Sequence, residues 1–321
     1  MMVTLSRNIL LGCSVLLSTS SYASCGSAFC MLNTNWSAQG VWTQPGARLD
    51  LRYEYVDQDE VRSGTGKASA DDIAAMDHHE ISTRNNNLQA TFDYAFNDIY
   101  GVSINAPLVS RKHQHLHVDE NVSDVEHEQW DFTKLGDVKV VGRMQLSPTT
   151  DLHDAYGINL GFKLPTGAHD IANDEGEIAE RSLQPGTGTT DAIAGAYYRK
   201  LLPELNSQWF TQLLFSKPLN KRDGFEIGQQ VALDLGYRYR VNKIVNIMAQ
   251  LNYSIKSRDS GEQAEPEDSG AKTLSFSPGL SISLNQTTQL YSFVHHRLYQ
   301  NVNGVQLSNS DSFVVGISTR F

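Results

Sequence analysis

Residues 311–321 read DSFVVGISTRF, and their side chains alternate in character up to the final aromatic residue. One parity carries mostly large side chains and the other mostly small or polar ones: Phe313, Val315, Ile317, Thr319 and Phe321 against Ser312, Gly316, Ser318 and Arg320. A period of two residues is the period of a β-strand, whose successive side chains point to opposite faces. The stretch therefore predicts a strand with one apolar face.

The same alternation recurs in three other segments of the chain. They read ARLDLRYEY (47–55), QVALDLGYRYR (230–240) and TLSFSPGLSISL (273–284). Alternating segments of about 10 residues, separated by turn residues, are typical of transmembrane β-barrels. A soluble sheet with one apolar and one charged face shows a similar pattern, so a β-sandwich is the alternative at this point.

Twelve strands are predicted, near residues 47–56, 80–96, 100–109, 130–146, 153–164, 189–201, 207–216, 226–240, 243–255, 272–284, 289–299 and 309–321. The connections after even-numbered strands are short, whereas those after odd-numbered strands are long and polar. Bacterial outer-membrane barrels have an even number of strands, short periplasmic turns and longer outer loops. We therefore predict an all-β fold, a transmembrane antiparallel β-barrel of the outer-membrane type, with about 12 strands and both ends in the periplasm.

Aromatic residues of such a barrel gather in two girdles at the membrane interfaces. The periplasmic girdle is predicted to contain Tyr94, Phe96, Tyr100, Tyr156, Tyr237, Tyr239 and Phe321. The outer girdle is predicted to contain Tyr55, Trp130, Phe215, Tyr253 and Phe313.

The N-terminal region has the pattern of an export signal. Arg7 precedes the apolar run ILLGCSVLL (9–17), and SYA (21–23) fits a cleavage site of the small-x-small kind. We predict a signal peptide at 1–23, a periplasmic or plug segment at 24–46 and the barrel over 47–321.

Composition excludes one class of partner. The full sequence of 321 residues carries a formal net charge of −10, which argues against a nucleic-acid partner. Cys25 and Cys30 are a candidate disulfide pair, because nearby cysteines of exported proteins are most often bridged.

Phe321 places an aromatic residue at the end of the last predicted strand. This ending resembles the C-terminal signal by which the assembly machinery of the Gram-negative outer membrane selects its barrels. The resemblance implies that this machinery and outer-membrane lipid are partners. It also implies the outer membrane of a Gram-negative bacterium as the location, after the signal peptide is removed.

Three motifs carry a family resemblance: GDVKVVGR (136–143), GFKLPTG (161–167) and QPGTGTTD (184–191). In this order they resemble the outer-membrane transporter family named for the MetA pathway of phenol degradation, which is similar to barrels that pass hydrophobic small molecules. The resemblance implies a channel for a small solute, hydrophobic or aromatic. The motif residues themselves suit turns and packing. The alternative is that Lys163 and Asp191 face the lumen at a constriction.

Charged residues alternate along the predicted strands, on the parity opposite to the apolar face. The candidates for lumen lining and selectivity are Arg48, Asp50, Arg52, Glu54, Asp137, Lys139, Arg143, Lys163, Asp234, Arg238 and Arg240. Because both signs are present, they predict ion pairs that cross-link a modest lumen. An electrostatic filter is the alternative.

The segment SRKHQHLHVDE (110–120) places His113, His115 and His117 at every second position. The apolar parity of the third strand directs all three toward the barrel axis, provided that no bulge intervenes. Same-face neighbours lie about 7 Å apart, close enough for two imidazoles to share a metal ion at about 2.0–2.1 Å each.

A fourth histidine belongs to the preceding strand. If a short turn pairs Phe96 with Tyr100, the hairpin register places His79 opposite His117. His79, His113, His115 and His117 are therefore the candidate ligands of a transition metal. A hydrophilic loop whose histidines bind nothing is the alternative.

The sequence favours passage of a small solute without chemistry or a resident cofactor, unless the histidines hold a metal. One alternative is a metal-binding outer-membrane protein that captures or passes transition-metal ions through those histidines. The other is a barrel enzyme. We expect no catalytic residues, because no segment resembles the Ser-His motif of a barrel phospholipase and nothing specifies a protease-like Asp-His set.

Overall fold

A computed structural model describes residues 45–74, 76, 78–118, 125–151 and 153–321, with the backbone alone at 78, 117, 118, 125 and 310. The signal peptide, the Cys25–Cys30 pair and nearly all of the predicted plug segment lie outside the described residues. The strands are β1 (Gly46–Ser63), β2 (Gly66–Lys67), β3 (His78–Ala95), β4 (Tyr100–Val118), β5 (Val125–Leu135), β6 (Val138–Gln145), β7 (Asp154–Leu164), β8 (Asp191–Leu202), β9 (Ser207–Pro218), β10 (Gln230–Arg240), β11 (Val245–Lys256), β12 (Ala271–Ser283), β13 (Thr288–Val302) and β14 (Val305–Arg320). One short α-helix (Ala70–Ala74) and one 3-10 turn (Pro203–Leu205) interrupt them.

The strands form one closed antiparallel barrel with twelve strand positions around its circumference, and we call each position a stave. Neighbours in sequence pair with each other, and β14 pairs with β1 to close the sheet, with Leu49 opposite Thr319. Two of the fourteen strands do not add staves. β2 is a short hairpin extension of β1, while β5 and β6 pair with successive parts of β4 and together form a single stave. The predicted twelve-stranded fold is confirmed.

The outer surface of the barrel is apolar. Leu233, Leu235, Tyr237 and Tyr239 on β10 are all exposed, while Asp234 between them is buried. Aromatic residues are also exposed at the strand ends that are predicted to be periplasmic: Phe96, Tyr100 and Phe321. An apolar band with aromatic residues at its rim is the lipid-facing surface of a membrane barrel. Among the described residues, no helix is both long and apolar enough to cross a membrane.

The turns at the end of the barrel that is predicted to be periplasmic are short, and they span residues 96–99, 146–153, 203–206, 241–244 and 284–287. The prediction of a long connection after the eleventh stave was wrong, because only Asn303 and Gly304 separate β13 from β14. The two strands extend toward each other past their predicted bounds, and Gly304 takes the positive φ of +54° that a tight turn needs.

One outer connection folds into the barrel. We name residues 165–190, between β7 and β8, the inward segment. Its Ala179 and Leu183 are buried in a cluster with Val109, Trp130, Phe132 and Leu307, which come from the inner wall. Val109 and Leu307 belong to β4 and β14, which are separated in the sheet by β1 and β3, so the cluster bridges non-adjacent strands of the wall. The inward segment therefore gives the outer half of the barrel an apolar core.

Candidate functional site

The lumen contains most of the charged residues predicted for it. On β1, Arg48, Asp50 and Glu54 are buried, whereas Leu51 and Tyr53 face outward. Arg48 forms an ion pair with Asp93 on the neighbouring strand, and Arg52 lies 2.6 Å from Glu54. Pairing of this kind offsets the cost of holding charges away from bulk water.

Below the inward segment lies a cavity of about 430 Å³. Seven of the eleven predicted lumen residues line it: Arg52, Glu54, Asp137, Lys139, Arg143, Lys163 and Asp234. The other four do not line it, and two of these lie toward the periplasmic end of β10. There Arg238 donates to Asn246, and Arg240 is exposed.

The three sequence motifs meet at the floor of the inward segment. We name Asp137, Lys163, Thr187, Thr189 and Asp191 the motif cluster. Lys163 Nζ lies 3.3 Å from Asp137 Oδ2 and 3.0 Å from Asp191 Oδ2, and it donates to Thr187 and Thr189. These charged side chains are almost entirely buried, so each depends on the others for compensation.

Asp137 also binds the backbone of the inward segment at both of its ends. Its Oδ1 accepts from Gly167 N at 3.0 Å, and its Oδ2 accepts from Thr187 N at 2.9 Å. One carboxylate thus holds the first and last turns of the segment together. Lys163 and Asp191 face the interior, as the alternative interpretation of the motifs required, while the glycines and prolines act in turns and packing.

Gly167 and Gly186 are where the two ends of the inward segment touch. A Cβ atom on Gly186 would lie 2.4 Å from Gly167 O, and one on Gly167 would lie 2.7 Å from Gly186 Cα. Both distances are shorter than any real Cβ contact. The two motifs need glycine here because the backbones approach too closely for a side chain.

The wall holds the middle of the inward segment through polar contacts. Arg111 donates to the backbone oxygen of Leu183, and Trp130 Nε1 donates to Glu177 O at 2.9 Å. Gln184 donates to Ala179 O at 2.8 Å within the segment. Buried backbone groups of an irregular segment need such partners, and the strands β4 and β5 supply several of them.

Three side chains of the types that bind metals converge inside the barrel, on the wall near its outer end. Glu80 on β3 and His113 and His115 on β4 are buried, and one ligand atom from each lies within 4.8 Å of the others. His113 Nε2 lies 3.1 Å from His115 Nδ1 and 3.6 Å from Glu80 Oε2. His115 Nε2 lies 2.6 Å from Glu128 Oε2 on β5. We name Glu80, His113, His115 and Glu128 the histidine cluster.

The predicted register between the two histidine-bearing strands was wrong by one residue. His78, not His79, lies opposite His117, because the pairing shifts between Glu80 and Ser82. The shift leaves Ile81 without a direct partner and turns Glu80 toward the lumen, opposite His115. His79 pairs with Leu116 and is outside the group of ligands, and the side chain of His117 lies outside the described part.

Sequence reasoning missed Glu80, Glu128 and Trp130 as interior residues. Trp130 is buried against the rings of His115 and His113, at centroid distances of 5.0 and 5.8 Å, and does not belong to the outer girdle. The available signal was parity, since residues 128, 130 and 132 alternate with exposed positions once β5 is extended upward. Nothing in the sequence located the bulge at residue 81.

Two further carboxyl groups lie above the histidine cluster. Burial raises the pKa of Glu180 in the inward segment well above its ordinary value, and repulsion by Glu265, Glu80 and Glu128 adds to this. Burial, followed by repulsion from Glu80 and other acids, raises the pKa of Glu265 to about 8. The outer end of the lumen is therefore rich in closely spaced acidic groups.

Comparisons with known proteins place this architecture. No protein-family profile and no curated protein matches the chain, so the resemblance to the MetA-pathway family stays a prediction. Among solved structures, an outer membrane channel from Pseudomonas putida F1 matches with a TM-score of 0.62 and 14% identity, over 87% of this chain and 97% of that one. The NanC porin matches at 0.46, with 9% identity over 85% and 100% of the two chains, and the CymD monoaromatic hydrocarbon channel at 0.44, with 12% identity over 94% and 98%. The chain has the fold of an outer-membrane β-barrel.

Proposed function

We propose that this protein is an outer-membrane channel that lets a small solute pass by diffusion. The observation that carries the proposal is the cavity of about 430 Å³ within a closed barrel. Its lining runs from Tyr94 and Gly101, beside a periplasmic turn, to Arg181 and Thr187 in the inward segment. The apolar outer surface and the fold shared with a solved outer membrane channel support the outer membrane of a Gram-negative bacterium as its location.

The lining of the cavity supports a solute with both a polar and an apolar part. Arg52, Lys139 and Arg143 contribute cationic groups, whereas Ile193 and Phe225 contribute apolar surface. Pockets for small molecules combine apolar walls with a few polar groups, and 430 Å³ is within their usual range of about 300–1,000 Å³. A small aromatic carboxylate has this chemistry, which agrees with the hydrophobic or aromatic solute implied by the sequence motifs.

Passage requires the inward segment to move. It packs on the wall through Leu183 and is held at its base by the motif cluster, so it separates the cavity from the outer mouth. We infer that the closed arrangement is the resting state of the channel. Opening would require the apolar cluster around Leu183 to separate, while the barrel strands stay paired.

Reconstitution tests the proposal directly. Purified protein in liposomes should let benzoate-sized aromatic carboxylates equilibrate faster than a neutral sugar of similar volume, and planar bilayers should show discrete conductance steps. Liposomes without protein and liposomes with heat-unfolded protein are the controls. If neither flux nor conductance exceeds these controls, in wild type or in variants that release the inward segment, the channel proposal is wrong.

A further inference from the structure

The distances between ligand atoms in the histidine cluster are close to those of a metal site. Ligand atoms that bind one zinc ion at about 2.0–2.1 Å in a tetrahedral site lie about 3.3 Å from one another. His113 Nε2 lies 3.1 Å from His115 Nδ1 and 3.6 Å from Glu80 Oε2. All three ligand atoms lie within 4.8 Å of one another, so an ion can bind between them once these side chains move closer together.

Each imidazole has a partner on its far side. Thr83 Oγ1 lies 2.8 Å from His113 Nδ1, and Glu128 Oε2 lies 2.6 Å from His115 Nε2. If both of these nitrogens donate their protons, His113 Nε2 and His115 Nδ1 present lone pairs to the same point. Histidine ligands of metals nearly always donate their other N–H to a carboxylate, carbonyl or hydroxyl in this way.

The charge around the site also favours a cation. Glu80 and Glu128 belong to the wall, while Glu180 and Glu265 approach from two different outer connections, and the four interact electrostatically. Among the described residues, no hydrogen-bond donor contacts Glu180 Oε1 or Glu265 Oε2, although both atoms are buried. Clustered buried carboxylates are stable only with a cation or with bound protons.

We propose that Glu80, His113 and His115 bind a divalent transition-metal ion of the zinc class, with Thr83 and Glu128 orienting the two imidazoles. The mixture of imidazole nitrogen and carboxylate oxygen suits zinc, nickel and copper rather than calcium or magnesium. Trp130 covers the two rings and shields the site from bulk water. The site lies on the wall of the outer mouth and is distinct from the cavity below the inward segment.

The same atoms allow a second arrangement, which the experiment must separate from the first. In it His113 Nε2–H donates to His115 Nδ1, and the two rings form a chain of hydrogen bonds from Thr83 to Glu128. That chain needs no ion. Wild-type protein with this arrangement alone would show no specific metal binding.

Calorimetric titration of the full chain with Zn²⁺ tests the site. The protein is folded in detergent without a histidine tag and treated with a chelator, which is then removed. We expect one ion per chain, and the double variant His113→Gln, His115→Gln should weaken binding by more than about 100-fold. Glu128→Gln should weaken it by about 10- to 100-fold, as is usual when an orienting partner is lost. His127→Gln is the matched control, because His127 is the exposed neighbour of Glu128, and it should leave binding unchanged.

Titration with Co²⁺ gives a readout that depends on coordination. Wild type should develop the visible absorption bands of a tetrahedral or five-coordinate Co²⁺ ion, and the double variant should not. Retained mobility of the folded barrel in unheated gels shows that each variant has folded. The proposal is overturned if folded wild type binds no Zn²⁺, or if the double variant binds it as tightly as wild type. Because binding is measured without transport, failure of the channel proposal would leave this result intact.

Discussion

Lys163 Nζ lies 3.0 Å from Asp191 Oδ2, and the pair joins the penultimate residue of β7 to the first residue of β8. The two residues are direct partners across the strands, so their contact closes the base of the inward segment. Asp137 lies on the other side of the lysine and binds both ends of the segment. A single buried cation thus holds three motifs that are distant in sequence.

Lys163→Ala should release the inward segment. Removing the lysine leaves Asp137 and Asp191 buried without their cation, which typically costs about 3–5 kcal/mol. Single-channel recordings should show a larger conductance, or more frequent opening, than wild type. The control is Lys217→Ala, because Lys217 is an exposed residue of β9, and its conductance should match wild type. An unchanged conductance in Lys163→Ala would show that the motif cluster does not keep the channel closed.

Gly186→Ala should loosen the contact between the two ends of the inward segment. The new Cβ would lie 2.4 Å from Gly167 O, a backbone atom that cannot rotate away. Overpacking of this kind typically costs about 1–3 kcal/mol, and here it destabilises the inward segment rather than the whole barrel. Limited proteolysis should cleave residues 165–190 faster than in wild type. Gly142→Ala is the control, since its Cβ would meet Leu160 O at an ordinary 3.5 Å, and equal cleavage of both variants would contradict the prediction.

Leu183→Ala should weaken the apolar core of the outer mouth. Leu183 is fully buried, and truncation of such a side chain typically costs about 2–5 kcal/mol. Ile178 in the same segment is 65% exposed, so Ile178→Ala should cost far less. Thermal unfolding and the rate of proteolysis within the segment measure the difference. Similar effects of the two substitutions would mean that the segment does not pack as described.

The packing of the outer connections should depend on pH through Glu265. Its pKa is about 8 in the folded protein, raised mainly by burial, against an ordinary value of 4.5. Because the pKa of Glu265 is higher in the folded protein, the protonated group stabilises the packed arrangement of residues 257–270. This contribution is complete below about pH 4.5 and is lost as the pH rises through about 8.

Proteolysis of residues 257–270 in the presence of a chelator measures this dependence. Cleavage should accelerate between about pH 5 and pH 8 in wild type and level off above that, after correction for the protease's own pH profile. Glu265→Gln should flatten the curve because the amide does not ionise. Glu262→Gln, at an exposed neighbouring position, should keep the wild-type curve. A curve that persists in Glu265→Gln would assign the effect to another group.

Alternation of side chains was enough to predict the barrel. In DSFVVGISTRF and QVALDLGYRYR each side chain faces either lipid or lumen, and the period of two follows directly from strand geometry. The same parity predicted that His113, His115 and Asp234 point inward, and all three side chains are buried. These are local properties, because a residue and its neighbours two positions away share a face whatever the rest of the chain does.

Only the tertiary structure decided what the interior does. Asp137 contacts Thr187 across 50 positions of sequence, and no local pattern links an aspartate between β5 and β6 to a connection two strands later. The shift at Ile81 exchanged Glu80 for His79 at the histidine cluster, and one extra residue in a strand reverses every side chain beyond it. The barrel follows from a repeated short-range period, whereas the packing of the inward segment and the histidine cluster depend on long-range contacts that form only once the sheet has closed.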